Sequence, residues 1–177
     1  MNVLAICGSL RTASINRMLL NAAIRLSPPD MKIVISPDIG KLLLYNPDLE
    51  HCVPAQVTKL RAHVAASQAL LIASPEYAHG VTGTLKNALD WLVSFEPIAN
   101  KPVALLNASP RAHHADAALR EILKTMSAEL VEAASITVPL LGSSLTEDEI
   151  AGHPEISIAI ASALLELQAS TIHRISR

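Results

Sequence analysis

Aromatic residues are nearly missing from this chain: one Trp, one Phe and two Tyr in 177 residues. A surplus of charge of either sign is missing too. The 14 Lys and Arg against 16 Asp and Glu leave a net charge of −2, so there is no basic excess to bind nucleic acid by counterion release, and no charged block of the kind that makes a disordered tail. Cysteine is confined to Cys7, at the end of an apolar run, and Cys52, in a polar stretch. That pair gives neither a disulfide framework nor a CxxC or zinc spacing, and both read as plain thiols. No uncharged run reaches the ~18 residues that a membrane span requires, and the apolar stretch at residues 3–7 is too short, and lacks the positive leader, for a signal peptide. The chain therefore reads as cytoplasmic, with neither nucleic acid nor membrane as a partner.

Two further absences bear on chemistry. Seven histidines are present but no HxxxH or HExxH pair. His113 and His114 are adjacent, so on a helix their side chains are expected to diverge by roughly 100° and not to share an ion; no metal site is expected. GSLR, at residues 8–11, is not a GxSxG elbow, so a serine nucleophile is not expected either.

Half of the residues are apolar, enough for one compact domain over residues 1–177. Apolar, non-alternating runs recur at residues 2–7, 32–35, 69–74 and 102–108, with a weaker one at 135–140; each has the character of a strand covered on both faces. Between them apolar residues recur at helical spacing: Ile15, Met18, Leu19, Ala22 and Leu26; Val57, Leu60 and Val64; Leu85, Leu89 and Leu92; Leu119, Ile122, Leu123 and Met126. Alternation of this kind predicts right-handed βαβ units and a parallel sheet between two helix layers. A last helix, about 154–173, carries one apolar seam of Ile156, Ile160, Leu164 and Leu167 and another of Ile158, Leu165 and Ile172. Deep packing on the sheet and a subunit contact both account for so wide a face. The long irregular stretch at 36–54 is either a functional loop or a plug in which Leu42 to Leu44 close the sheet edge.

Ligands of open parallel sheets sit beyond the carboxyl ends of the strands, where the strand order reverses. Loops 8–14, 75–83 and 109–114 leave such ends. The first, GSLRTASIN, offers helix amides, hydroxyls and the Arg11 guanidinium, a set suited to a single terminal phosphate. It lacks the GxGxxG and GxxxxGK[ST] patterns of dinucleotide and triphosphate loops. The competing account is that Ser14 caps the helix and Arg11 is merely solvated. The second, within SPEYAHGVTGTLKNALDWL, holds Tyr77 and Trp91, with Phe95 just beyond. Tyr77 is placed to cover a planar ring, Gly80 and Gly83 permit tight turns and a close backbone approach, and Trp91 suits packing on its own helix.

GSLRTASIN followed by SPEYAHGVTGTLKNALDW closely resembles the NADPH-dependent FMN reductase family, and YNPDLE, at 45–50, resembles that family's loop after the second strand. The resemblance runs from residue 1 to about 109. It implies a flavodoxin-like three-layer α/β sandwich with a five-stranded parallel sheet in the order 2-1-3-4-5. It places Ser9, Arg11, Ser14, Ile15 and Asn16 on the FMN phosphate and Pro75, Glu76 and Tyr77 against the isoalloxazine, with Ser109 retained in the third loop. The chain departs from the family at Ala78, where Asn is usual, at Thr82, often Pro, and in ASPRAHHADA at 108–117, which lacks the usual glycines. There Arg111, His113 and His114 either bring charge to the flavin edge or to NADPH phosphates, or form an exposed polar helix start. The implied activity is transfer of hydride from NAD(P)H to FMN and of electrons onward to a quinone, a free flavin or a similar small acceptor, in a homodimer or homotetramer. The alternatives are an FMN-binding electron carrier or sensor without NAD(P)H turnover, and a module that has lost the flavin. Carriers usually present a strongly acidic docking face, which a charge of −2 does not supply.

Overall fold

The computed structural model describes residues 1–175. In chain order the elements are β1 (Asn2–Cys7), α1 (Ile15–Arg25), β2 (Lys32–Ile35), α2 (Ala55–Ala66), β3 (Ala69–Ala73), a hairpin of β4 (Glu76–Tyr77) and β5 (Gly80–Val81), α3 (Gly83–Asp90), β6 (Pro102–Asn107), α4 (His113–Thr125), β7 (Glu129–Leu130), β8 (Ile136–Thr137), α5 (Glu147–Gly152) and α6 (Pro154–Ile175). The main sheet runs β2-β1-β3-β6, and β7 and β8 both pair in parallel with β6 at the fifth position. Apart from that split strand it is the expected 2-1-3-4-5 order.

Why the strands read as continuous apolar runs is plain from the burial. Successive side chains of a strand point to opposite faces. In β1, Val3 and Ala5 enter one core with Leu19 and Leu20 of α1 and Ile160 and Leu164 of α6. Leu4 and Ile6 enter the other, with Leu60 of α2, Leu85 and Leu89 of α3 and Leu119 of α4. Every residue of β3 is buried.

The fifth strand is less regular than its apolar run suggests. Pairing starts early, at Glu129, stops for a 3₁₀ turn at Glu132–Ala134, and resumes for two residues only. Ser135 fills the gap, its hydroxyl accepting from the Leu105 N–H (3.1 Å) and donating to the Val131 carbonyl (3.0 Å). The short helix α5 was not expected, although Thr146 and Glu149 form a full capping box, a pattern visible in the sequence TEDE.

The two seams of α6 part company. Ile160, Leu164 and Leu167 are buried, whereas Ile158, Leu165 and Ile172 are exposed. By length and composition Pro154–Arg174 is long and apolar enough to cross a membrane; here its inner seam is part of the core. The stretch at 36–54 plugs less than expected: Leu42 packs on the core, while Leu43 and Leu44 are exposed. Its main chain is instead tied down, the Leu43 carbonyl accepting from Trp91 Nε1 (2.7 Å) and Asn87 Nδ2 (3.0 Å). Trp91 is fully buried, with Tyr45 edge-on at 5.1 Å.

Candidate functional site

The loops leaving β1 and β3 run side by side because Gly8 has no side chain. A Cβ there would lie 2.2 Å from Ser74 Oγ and 3.2 Å from the Ser74 Cα. The Gly8 N–H donates to the Ala73 carbonyl (2.8 Å), and its buried carbonyl accepts from Thr82 Oγ1 (2.7 Å). Thr82 also caps α3 by accepting from the Leu85 N–H. The Thr in place of the usual Pro thus clamps the first loop to the second. At the start of α1, Ser14 accepts from the Arg17 N–H and Ser9 from the Arg11 N–H, both at 3.4 Å. The next amides, of Ile15 and Asn16, have no hydrogen-bond acceptor among the described residues, as is general for a helix's first turn. Ser14 therefore is a cap and also a member of an anion-ready turn.

The second loop is the β4–β5 hairpin, and its turn is not made by glycine. Gly80 and Gly83 do not have left-handed φ; Ala78 and His79 do, at +49° and +57°. Residues so placed form the twisted two-residue turn that antiparallel pairs favour, at a cost of order 1 kcal/mol or more for each non-Gly residue. Glu76 holds this turn. Its Oε1 lies 3.2 Å from His79 Nδ1 and its Oε2 accepts from the Ala115 N–H at 2.8 Å, while the His79 ring meets His114 edge-on at 4.5 Å. The Ala115 N–H, helped by His79 and the neighbouring His114 against some desolvation, keeps the Glu76 carboxyl below the usual carboxylate range. Both carboxylate oxygens are thereby engaged by the hairpin and by α4.

In the third loop, Ser109 accepts from the Arg111 N–H (3.2 Å) and donates its own N–H to Asn107 Oδ1 (3.0 Å). The expected divergence of His113 and His114 does not occur: their rings are 4.1 Å apart, drawn together where His114 turns to meet His79. No group of three or more His, Cys, Asp or Glu side chains is placed to hold a metal among the described residues. Neither His113 nor His114 lines the cleft described next.

That cleft has a volume of about 310 Å³ and lies at the point where the strand order reverses. Ser9, Arg11, Ser14, Ile15, Asn16, Pro75, Glu76, Tyr77 and Ser109, the full set expected from the sequence, all line it. So do Asn107, Arg111 and Leu141. Leu141 comes from the loop after β8 and is 56% exposed; nothing local in the sequence marks it. Asn16 is almost fully buried, and its Oδ1 has no hydrogen-bond partner among the described residues. An orphaned buried acceptor costs about 1–3 kcal/mol unless something supplies a donor.

A parallel sheet of this order, with a helix N-terminus and a cleft of this size at its switch point, defines the flavodoxin-like class. Within that class the chain belongs to the NADPH-dependent FMN reductase family, whose model matches residues 1–140. It is 44% identical over 110 residues to an NAD(P)H-dependent FMN reductase of Pseudomonas aeruginosa, covering 60% of this chain and 59% of that one. It is 34% identical over 113 residues to a quinone reductase of Escherichia coli strain K12, covering 62% and 60%. The chain thus spans about 60% of the length of these curated relatives. Among solved structures, the flavoenzyme NAD(P)H:(acceptor) oxidoreductase FerB of Paracoccus denitrificans superposes with a TM-score of 0.68 at 27% identity, over 97% of this chain and 93% of that one.

Proposed function

We propose that this protein is an FMN-dependent NAD(P)H oxidoreductase that passes electrons to a quinone, a free flavin or a similar small acceptor. The observation that carries the reading is the convergence of residues from three separate loops on one cleft at the point where the strand order reverses. FMN fits that wall: the free amides of Ile15 and Asn16, the hydroxyls of Ser9 and Ser14 and the guanidinium of Arg11 would hold its phosphate. Bound FMN supplies the hydride acceptor and the electron store. The chain's own contribution is placement. Pro75 and Tyr77 would flank the ring, Glu76 holds the hairpin against α4, and Leu141 with Tyr77 would keep water from the mouth. Hydride transfer from a nicotinamide needs no proton relay, in keeping with a cleft that lacks a paired acid and base.

Residues 1–177 form one domain in this reading, cytoplasmic, without membrane or nucleic-acid partners, and assembled as a homodimer or homotetramer. The exposed Ile158 and Leu165 on the outer face of α6 support the assembly, and mass in solution with and without FMN tests it. The activity is tested by loading purified protein with FMN, adding NADPH without oxygen, and then adding a quinone. Bleaching of the flavin absorbance followed by its return is the expected result. Retained colour that NADPH does not bleach identifies an electron carrier instead, and failure to take up FMN refutes the reading.

A further inference from the structure

The start of α4 is capped from another element. Ala112, at its N-terminus, offers no side-chain cap, and Glu76 of the hairpin takes that place, its Oε2 accepting from the Ala115 N–H at 2.8 Å. The same carboxylate turns back with Oε1 to His79 Nδ1 at 3.2 Å. Three imidazoles complete the arrangement: His79 lies edge-on to His114 at 4.5 Å, and His114 lies against His113 at 4.1 Å. They hold a turn that is already strained, since Ala78 and His79 are both left-handed. Tyr77 of the cleft belongs to the same hairpin. None of the three rings lines the cleft, so their effect on it passes through the hairpin.

Histidine is the side chain that changes charge between about pH 5 and 8. Across that window Glu76 stays ionised, because the Ala115 N–H, helped by His79 and His114 against some desolvation, holds its carboxyl below the usual range. A protonated His79 strengthens its bond to Glu76. His113 and His114 stand in the first turn of α4, where the helix dipole opposes a cation, and each protonated ring repels the next. The other charged groups around the hairpin do not relieve this. Asp116 is bonded to Arg120 at 2.6 Å, Lys86 on the helix after the hairpin is paired with Asp90, and Arg111 in the loop before α4 adds a further positive charge.

We propose that His114 is a positioning residue through which pH governs the cleft: neutral, it holds the hairpin and Tyr77 against α4, and protonated, it releases them. Two unit charges about 4 Å apart in water disfavour their contact about fivefold. The repulsions of His114 from His79 and from His113, both escaped when it swings away, stand against one strengthened attraction of His79 for Glu76. The net loosening is about fivefold, and the closed hairpin loses stability as pH falls through the histidine range. Its bearing on turnover rests on the proposed function, in which Tyr77 flanks the flavin; the loosening itself does not.

The test is hydrogen–deuterium exchange of the flavin-free chain at pH ~7.5 and ~5.5, on either side of the histidine range, read by mass spectrometry and corrected for the intrinsic rate at each pH. Protection over residues 76–81 and 113–118 is expected to fall about fivefold at the lower pH and to return on neutralisation, while residues 102–107 of β6 keep theirs. His114→Phe keeps a ring without its charge, and His114→Gln removes both; the pH dependence of the hairpin is expected to vanish in each. Native protection that does not change with pH, a dependence that survives both variants, or an equal loss in β6 overturns the assignment. In FMN-loaded protein, flavin release at the lower pH is expected to be about fivefold faster from the native chain than from His114→Phe. The flavin's own phosphate titrates in the same range, and comparing the two proteins at one pH removes its effect. Failure to retain FMN refutes the proposed function and leaves the exchange measurement standing.

Discussion

Thr82→Val is the sharpest probe of how the two main loops are held together. Valine keeps the shape and the methyl group and removes only the hydroxyl, which donates to the Gly8 carbonyl at 2.7 Å and accepts from the Leu85 N–H at 3.4 Å. Thr82 is 2% exposed and Gly8 is buried, so water does not reach the carbonyl left behind. An unsatisfied buried acceptor costs about 1–3 kcal/mol. The lost cap adds about 0.5 kcal/mol, the low end of the range, because that bond is long. The sum is about 1.5–3.5 kcal/mol. With a urea slope of about 2 kcal/mol/M, the unfolding midpoint falls by about 1–2 M. Thr82→Ser keeps both hydrogen bonds and gives up one methyl group, worth about 0.8 kcal/mol at most, so it should fall well short of the valine variant. The assay is equilibrium urea unfolding followed by far-UV circular dichroism. A valine midpoint equal to that of the serine variant would refute the clamp.

Arg11→Ala should weaken FMN binding by about 1.5–3 kcal/mol, the value of a charged hydrogen bond; equal affinities in a fluorescence titration count against the phosphate assignment. Gly8→Ala forces a Cβ to 2.2 Å from Ser74 Oγ, and overpacking of that kind costs about 1–3 kcal/mol. At about 2–4 °C per kcal/mol for a chain of this size, calorimetry should show Tm lower by at least ~2 °C. Glu76 has its folded pKa lowered, so its stabilising contribution is complete above the unfolded carboxylate value near ~4.3 and disappears as pH falls through the lower folded value. Glu76→Gln should therefore flatten the acid limb of the stability curve, and parallel curves for the two proteins would contradict the hairpin's dependence on that carboxylate.

The legible parts of this protein are those in which one physical demand acts on neighbouring residues. Strands covered on both faces must be apolar throughout, which is why residues 2–7 and 69–74 are read correctly, and the start of a helix needs a small hydroxyl to cap it, as Ser14 does for α1. The irregular fifth strand was harder to read. Its pairing at Glu129 and Leu130 is set by what β6 presents, and the repair by Ser135 depends on an amide thirty residues away. The glycines of SPEYAHGVTG suggested the turn, yet Ala78 and His79 make it, because Glu76 within the hairpin and Ala115 and His114 of α4 hold it.

By itself the sequence determined the layer architecture, since hydrophobic periodicity and the handedness of βαβ units are local rules that add up along the chain; the strand order, and with it the convergence of the three loops, came with the resemblance carried by GSLRTASIN and SPEYAHGVTG. Tertiary structure alone decided which polar atoms were left over. That Thr82 closes on Gly8, that both oxygens of Glu76 are engaged and that Asn16 Oδ1 is stranded all depend on distances between segments far apart in sequence. Hydrogen bonds and charges act over a few ångströms, and only the packed sheet brings those segments within that range.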